Sequence, residues 1–234
     1  MTKSKTAVKN AGEFERLNSK RGEQMKYLGK PAGMWALFAR SFEKHLTVEF
    51  DLTAEQAKDV AARAKKKYRE IIAKLPEFDK RDRFEMNIVN CAMLAAFILC
   101  MPQRPDIKTL TDYYAAAMMT PTMKAFCRAS GKKKFTPKDI EGMKATAKLR
   151  AGDRNPYSWN MDFFEYEDGS GYEARFTTCG ICTLMQMLGL YDLTPALCHL
   201  DYTMSDAGGA SDFVREYTLA SGGPYCDCGY HKKQ

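Results

Sequence analysis

Residues 159–190 read WNMDFFEYEDGSGYEARFTTCGICTLMQMLGL and contain the change from strand-like to helical sequence on which the predicted fold class rests. Its first half contains two aromatic and β-branched segments, Trp159–Tyr166 and Tyr172–Thr178, which are typical of strands. The Asp168-Gly169 pair between them is a hairpin turn signal. The second half, Cys179–Leu190, returns to apolar residues at helical spacing. The stretch therefore predicts an antiparallel hairpin followed directly by a helix.

The residues after this stretch continue the pattern towards the end of the chain. Leu193–Met204 opens with Thr194-Pro195, a cap followed by a proline at the first helical position, and reads as a short helix. Phe213–Ala220 and Tyr225–His231 read as two further strands joined through a Gly-Gly-Pro turn. The predicted C-terminal order is therefore strand, strand, helix, helix, strand, strand.

The region of residues 31–155 is predicted to be helical. Thr53 and Gln56 form a capping box, Pro121 interrupts or ends one apolar pattern, and Thr136-Pro137 is a cap with a proline after it. The predicted helices are Gly33–Phe50, Thr53–Leu75, Phe84–Cys100, Leu110–Ala129 and Thr136–Leu149. The predicted fold class is α+β, with an N-terminal helical layer packed on a C-terminal four-stranded antiparallel sheet of ββααββ order.

Length and composition limit the domain organisation. The chain has 234 residues, of which 45% are hydrophobic and 28% charged, so it suits one large domain or two small packed ones. We predict a flexible basic N-terminus at residues 1–30, a helical region at 31–155 and a cysteine-rich α+β region at 156–234 that carries the site. The last two regions are expected to form one compact domain.

The most apolar run, Ile88–Met101, is predicted to be a buried core helix. It is 14 residues long, contains Asn90 and ends before Pro102, so it is too short to cross a bilayer. Residues 1–30 are rich in lysine and lack the apolar core of a secretory signal. We therefore expect a cytoplasmic protein with no membrane partner.

Charge is divided unequally along the chain. Residues 158–234 hold only four of the 36 Lys and Arg residues but 11 of the 29 Asp and Glu residues, which leaves residues 1–157 strongly basic. A basic half can bind nucleic acid. Because its basic residues are spread out and interspersed with acidic ones, solvated helices attracted to the acidic half are the preferred interpretation. Nucleic acid is therefore not an expected partner.

Cysteine is concentrated where the acidic charge lies. Three of the eight cysteines are scattered through helical patterns and are expected to be buried. The other five, which are expected to be reduced, are Cys179, Cys182, Cys198, Cys226 and Cys228. Cys179 stands where a strand gives way to a helix, whose free N–H groups and dipole lower a thiol pKa and stabilise an anion. It is a candidate nucleophile or anion-binding residue. A purely structural role, as a buried thiol beside Gly180, is an equally weighted alternative.

A zinc- or redox-active cysteine module is the competing prediction. Cys179 and Cys182 form a C-x-x-C motif, and Cys198-His199 and the C-terminal cysteines add soft ligands. Against it, a second C-x-x-C is missing, and His231 points to the strand face opposite the cysteines. No metal and no cofactor is predicted.

Carboxylates and an arginine lie among these cysteines. Asp201 follows Cys198 by three residues, and Asp227 alternates with its neighbouring cysteines on a predicted strand. Either is a general-base candidate, and the alternative for each, a surface or capping acid, is the commoner role of such residues. Arg215 and Thr218 lie on the strand before the Gly-Gly-Pro turn, where an arginine can hold a substrate carboxylate bidentately.

The segments TTCGICTLMQMLGLYDLTPALCHLDY at 177–202 and REYTLASGGPYCD at 215–227 together resemble the L-2-amino-thiazoline-4-carboxylic acid hydrolase family. Members of that family are similar in having a cysteine at a strand–helix junction, then C-x-x-D, R-x-x-T-L-A-x-G and C-D. The matching positions are Cys179, Cys198 with Asp201, Arg215 with Thr218 and Gly222, and Cys226 with Asp227. Cys182 and Cys228 lie outside this pattern. The family usually has an aromatic residue in place of Cys228, which implies a changed pocket wall.

The resemblance implies a hydrolase that adds water to a cyclic amidine bearing a carboxylate, as in the opening of L-2-amino-thiazoline-4-carboxylate to N-carbamoyl-cysteine. It implies Cys179 as nucleophile or anion-hole residue, Asp201 and Asp227 as acid/base candidates, and Arg215 as the carboxylate clamp. The predicted catalytic residues are Cys179, Cys198, Asp201, Cys226 and Asp227, and the predicted substrate-binding residues are Arg215 and Thr218. The expected partner is a small carboxylate-bearing substrate, and the oligomeric state stays open.

Overall fold

The computed structural model describes residues 31–79, 81–152 and 154–234. The predicted flexible N-terminus, residues 1–30, lies outside the described residues. Helices precede the sheet, and they are α1 (Pro31–Glu49), α2 (Ala54–Ile72), α3 (Glu85–Ile98), α4 (Ile107–Met118), α5 (Pro121–Gly131) and α6 (Pro137–Arg150).

The predicted caps set the ends of these helices. Gln56 N–H donates to Thr53 Oγ1 at 3.2 Å and Thr53 N–H donates to Gln56 Oε1 at 2.8 Å, which completes the capping box of α2. The apolar pattern of 110–129 is divided between α4 and α5, because Thr120 caps α5 by accepting the Met123 N–H at 3.2 Å. Local side-chain chemistry therefore fixes where the helical layer bends.

The C-terminal part combines a sheet with three helices, namely β1 (Asp162–Glu165), β2 (Gly171–Phe176), α7 (Gly180–Met187), α8 (Thr194–Cys198), α9 (Leu200–Gly208), β3 (Ser211–Val214) and β4 (Cys226–Lys232). Single 3-10 turns lie at Tyr191–Leu193 and Leu219–Ser221. The four strands form one antiparallel sheet in the order β1-β2-β4-β3. The predicted α+β class and the paired strands at either end of a helical segment are confirmed, and the second predicted helix is two helices, α8 and α9.

The predicted strand Phe213–Ala220 is shorter than expected, because it ends at Val214. Beyond that point the backbone N–H groups of Glu216 and Tyr217 donate to the Asp227 carboxylate at 2.8 and 2.6 Å. These groups are therefore not available to a neighbouring strand, and the chain forms a loop beside the start of β4.

The helix α3 lies at the centre of the core. Its side chains are buried from Ile88 to Ile98, apart from the half-buried Asn90. It packs on both α2 and α7. Burying each large apolar side chain of this helix contributes about 1.5–3 kcal/mol. One hydrophobic core therefore extends from the helical layer to the helix that begins at Cys179.

The helices α8 and α9 complete the link between the layers. The first packs on α4, and the second packs on both α5 and β3. None of the helices described is long and apolar enough to span a bilayer.

Candidate functional site

Cys179 lies at the junction of β2 and α7, as predicted. After β2 ends at Phe176, the Asn160 side chain takes over its hydrogen bonding, because Asn160 Oδ1 accepts the N–H groups of Thr177 and Thr178 at 2.9 and 2.7 Å. Cys179 is then the N-cap residue of α7. The chain therefore turns at a fixed point, and the Cys179 sulfur lies at a helix N-terminus where N–H groups have no helical partner.

Gly180 permits this turn. A Cβ atom at Gly180 would lie 2.1 Å from the carbonyl oxygen of Tyr157 and 3.0 Å from Cδ1 of Ile88. Any side chain would therefore push these groups apart. The segment that precedes β1 passes directly against the first turn of α7.

The surroundings of Cys179 lower its pKa. The largest contribution is the hydrogen bond from the Cys182 thiol, and it is supported by the N–H groups of Cys182 and Ile181 and by the indole of Trp159, against the opposing effect of burial. Donors that face a sulfur favour its thiolate form. Cys179 is the only one of the chain's eight cysteines, all of which lie in described residues, whose pKa is lowered.

The other C-terminal thiols have raised pKa values. For Cys182 the main cause is its hydrogen bond to Cys179, with burial second. Burial raises the pKa of Cys198 and Cys226, and it raises the pKa of Cys228 to about 12. Cys179 is therefore the thiol of this group that loses its proton most readily.

Arg215 is the centre of a second cluster, and its side chain is only 6% exposed. Its Nη1 donates to the carbonyl oxygen of Cys198 at 3.0 Å, and its Nη2 donates to Asp201 Oδ2 at 2.5 Å and to Cys228 Sγ at 2.9 Å. Asp201 is 44% exposed. Asp201 thus occupies the place on the guanidinium that a substrate carboxylate is predicted to take.

Asp227 holds the loop of residues 215–222, which we call the 215–222 loop, through the two N–H bonds described above. Within this loop, Thr218 Oγ1 accepts the Ser221 N–H at 3.1 Å, and Gly222 ends the turn with a φ of +82°. Cys226 Sγ accepts another N–H of the same turn at 3.2 Å. The R-x-x-T-L-A-x-G and C-D motifs therefore describe a loop and a strand that hold each other in place.

A cavity of about 230 Å³ opens between α8, the start of α9 and the 215–222 loop. Three of the predicted site residues, Cys198, Arg215 and Thr218, line it. Its other lining residues are Pro195, His199, Tyr202, Glu216 and Ser221. The structure thus places Cys179, Asp201, Cys226 and Asp227 behind or beside the cavity rather than on its wall.

Cys198 connects Cys179 with the cavity. It lines the cavity, and the charges of Cys179 and Asp201 add to the effect of burial in raising its pKa. Tyr191 forms a second connection, because it contacts Cys182 while its hydroxyl donates to a carbonyl of the 215–222 loop at 3.0 Å. Cys198 on the cavity wall therefore lies within electrostatic reach of Cys179.

Trp159 and His199 are among the residues of this region that were not predicted as site residues from the sequence. Trp159 is predicted as a strand residue, but β1 begins at Asp162 and the Trp159 indole faces the Cys179 sulfur. His199 lines the cavity, and its ring centroid lies 5.3 Å from that of Tyr202. The sequence feature that could have identified His199 is its position inside the C-x-x-D motif.

The cysteines that lie outside the family pattern also take part in these contacts. Cys182 donates to Cys179, and Cys228 accepts from Arg215. His231 lies on the strand face opposite Cys228, where its ring stacks on Tyr166 at 4.7 Å. Within residues 31–79, 81–152 and 154–234, no three His, Cys, Asp or Glu side chains are grouped so as to hold a metal ion.

Comparison with known proteins gives one match. A family model described as L-2-amino-thiazoline-4-carboxylic acid hydrolase matches residues 84–230. The matched part begins just before α3 and includes every predicted site residue. No curated protein and no solved structure matches the chain.

Proposed function

Because the chain belongs to the L-2-amino-thiazoline-4-carboxylic acid hydrolase family, we propose that it opens the ring of a small cyclic amidine that bears a carboxylate. The proposed reaction resembles the conversion of L-2-amino-thiazoline-4-carboxylate to N-carbamoyl-cysteine. It consumes one water molecule and releases a thiol.

Cys179 is the observation that carries this proposal. It occupies the strand–helix junction of the family pattern, and it is the cysteine whose pKa is lowered among thiols whose pKa values are all raised. The thiolate is the nucleophilic form of cysteine. A reaction at an electrophilic amidine carbon needs such a nucleophile.

In the first half of the proposed reaction, the Cys179 thiolate bonds to the ring carbon between sulfur and nitrogen. The electron pair of the C=N bond moves to the ring nitrogen, which takes up a proton. The bond between that carbon and the ring sulfur then breaks, and the sulfur leaves and takes a proton from the nitrogen side. The substrate is now an open isothiourea on Cys179 with a free thiol of its own.

In the second half, water adds to the same carbon and the Cys179 thiolate leaves. The proton taken up in the first step is released, so the net change is one water consumed and a carbamoyl group formed. We assign this proton transfer to Asp201, which is partly exposed and ion-paired with Arg215. We assign Asp227 to holding the 215–222 loop, because both of its oxygens accept backbone N–H groups.

The substrate carboxylate is proposed to bind at Arg215 from the cavity side, with Thr218 beside it. Arg215 and Thr218 both line the cavity, and the guanidinium already binds a carboxylate, that of Asp201. Exchange of Asp201 for the substrate would free Asp201 for proton transfer. Cys198 and Cys226 are assigned to the wall and the floor of the site.

The decisive experiment is incubation of the purified protein with L-2-amino-thiazoline-4-carboxylate. We expect mass spectrometry to show the gain of one water, and a thiol reagent to show one new thiol per substrate. Cys179→Ala is expected to lower the rate by at least about 100-fold, because it removes the nucleophile. Cys127→Ala, a buried cysteine of α5 away from the site, is the matched control and is expected to keep the rate. Full activity of Cys179→Ala would disprove the assignment.

The carboxylate assignment has its own substrate control. 2-Amino-thiazoline without the carboxylate is expected to react with a KM raised by about tenfold or more, since a charged hydrogen-bond pair is lost. Equal KM values for the two substrates would contradict a carboxylate clamp at Arg215.

A redox module is the second candidate, and one observation favours it. The Cys182 thiol donates to the Cys179 sulfur on the first turn of α7, which is the arrangement a reversible disulfide needs. This function would require two-electron exchange with a disulfide substrate. Reduction of a small disulfide by the dithiol protein, without any turnover of the thiazoline carboxylate, would favour the redox module over the hydrolase.

A further inference from the structure

A fully buried ion pair lies inside the protein, away from the cavity. Arg150 Nη1 is 3.2 Å from Asp82 Oδ2, and the two side chains are 1% and 0% exposed. Ser158 Oγ donates to the same Asp82 oxygen at 2.6 Å, and Arg150 Nε donates to the carbonyl oxygen of Trp159 at 2.9 Å. Burying a charge pair is costly, and its gain in stability is often small or negative. A role in fixing the position of one chain segment explains this ion pair better than a contribution to stability does.

That segment, residues 157–160, runs alongside the residues around Cys179. At one end, the Tyr157 carbonyl is packed so closely on Gly180 that no Cβ fits between them. At the other end, the Asn160 N–H donates at 2.8 Å to the hydroxyl of the residue before Cys179. Trp159 lies between these two contacts, and its indole helps to lower the pKa of Cys179, so the two side chains are neighbours.

We propose that the Asp82–Arg150 pair and Ser158 hold the Trp159 indole against the Cys179 sulfur, so that Trp159 is a positioning residue for the attacking thiolate. The role in catalysis rests on the proposed function, whereas the contact with the sulfur does not. Trp159 is outside the motifs that carry the family resemblance.

The chemistry of the indole suits this task. Its N–H is a donor only, so it stabilises a thiolate without taking a proton from it or giving one to it. The ring is 7% exposed and packs against Phe84 with the ring centroids 5.5 Å apart. A rigid, buried donor needs no rearrangement when negative charge returns to sulfur at the end of the reaction.

The test measures the alkylation of Cys179 by iodoacetamide from about pH 5 to about pH 10, with mass spectrometry of the Cys179 peptide. Trp159→Phe keeps an aromatic ring but removes the N–H. Its alkylation midpoint is expected to rise by about one pH unit, which makes alkylation about tenfold slower below both midpoints. Trp35→Phe changes the other tryptophan, which stacks on Phe97 in the helical layer, and is expected to leave the midpoint unchanged.

Superimposable pH profiles of the wild type and a folded Trp159→Phe would overturn the proposal. If Trp159→Phe does not fold, as judged by circular dichroism, an NMR titration of the wild type tests the same contact. The indole N–H proton resonance of Trp159 is expected to titrate together with Cys179, and to stop doing so in Cys179→Ala. A resonance that ignores the state of Cys179 would likewise overturn the proposal.

Failure of the proposed function is distinguishable from these outcomes. A shifted alkylation midpoint in a protein that does not open the thiazoline ring would keep Trp159 as the partner of the thiolate and would reject the hydrolase reaction. An unshifted alkylation midpoint in a protein that does open the thiazoline ring would reject Trp159 as the partner of the thiolate and would keep the hydrolase reaction.

Discussion

Replacing Gly180 by alanine adds one methyl group at the place where α7 meets the segment before β1. Two effects of opposite sign follow. Alanine is preferred over glycine within a helix by at most about 1 kcal/mol, which stabilises the variant. The new Cβ would lie 2.1 Å from the Tyr157 carbonyl oxygen and 2.4 Å from its carbon, which destabilises it.

The second effect is expected to dominate. The two closest atoms belong to the Tyr157 backbone, so moving the Ile88 side chain aside would not relieve the clash. Forcing extra volume into a packed region typically costs about 1–3 kcal/mol. We expect Gly180→Ala to lower the free energy of unfolding by about 2 kcal/mol, and to displace Tyr157 together with the Trp159 indole.

A second glycine provides a matched control. Gly142 lies inside α6, and a Cβ there would meet no atom within 4 Å. Gly142→Ala is expected to raise the free energy of unfolding by about 0.5–1 kcal/mol, since only the helix preference remains. Urea unfolding followed by circular dichroism measures both values. A Gly180→Ala variant at least as stable as the wild type would refute the close contact on which the Cys179 site depends.

Three further predictions concern charge. Hydrolysis is expected to fall as pH falls through the pKa of Cys179, which its donors hold below the ordinary value; a rate whose midpoint lies at or above the ordinary thiol value of about 8.5 would contradict this assignment. Asp227→Asn replaces a carboxylate that accepts two backbone N–H groups by an amide with one acceptor oxygen, so we expect a loss of about 1–2 kcal/mol in urea unfolding and a higher KM. Burial lowers the pKa of Lys134 to about 8, so between there and its unfolded value of about 10.4 the unfolded chain binds more protons and the wild type becomes more stable as pH rises. Lys134→Met is expected to remove that part of the pH dependence, which thermal unfolding at a series of pH values would reveal.

The sequence predicts those parts of the structure that local rules control. The hairpin at Asp168-Gly169, the cap at Thr53 and the division of a long apolar pattern before Pro121 all follow from turn and capping preferences that act within a few residues. Residues of the family motifs also meet in space, because Cys198, Arg215 and Thr218 line the same cavity.

Contacts between distant residues explain what the sequence does not predict. The strand predicted through Ala220 ends early because Asp227, ten residues beyond Tyr217, binds the backbone that a strand would need. The basic residues of the helices are read as solvated, but Arg150 is buried against Asp82, a residue 68 positions earlier. A periodic pattern predicts which face of an element is buried, but it does not predict which polar residue from a distant part of the chain will pair with a residue on that face.

The proposed site combines a rigid part of the core with an exposed loop, and this combination affects how its substrate specificity can change. The Cys179 sulfur is surrounded by groups that the hydrophobic core holds rigidly, whereas one wall of the cavity is the 215–222 loop, with Glu216 and Ser221 exposed on it. For the proposed hydrolase, substitutions on that loop are expected to reshape the space for the substrate without changing the surroundings of the Cys179 sulfur. A change of reaction is expected to require substitutions in the core.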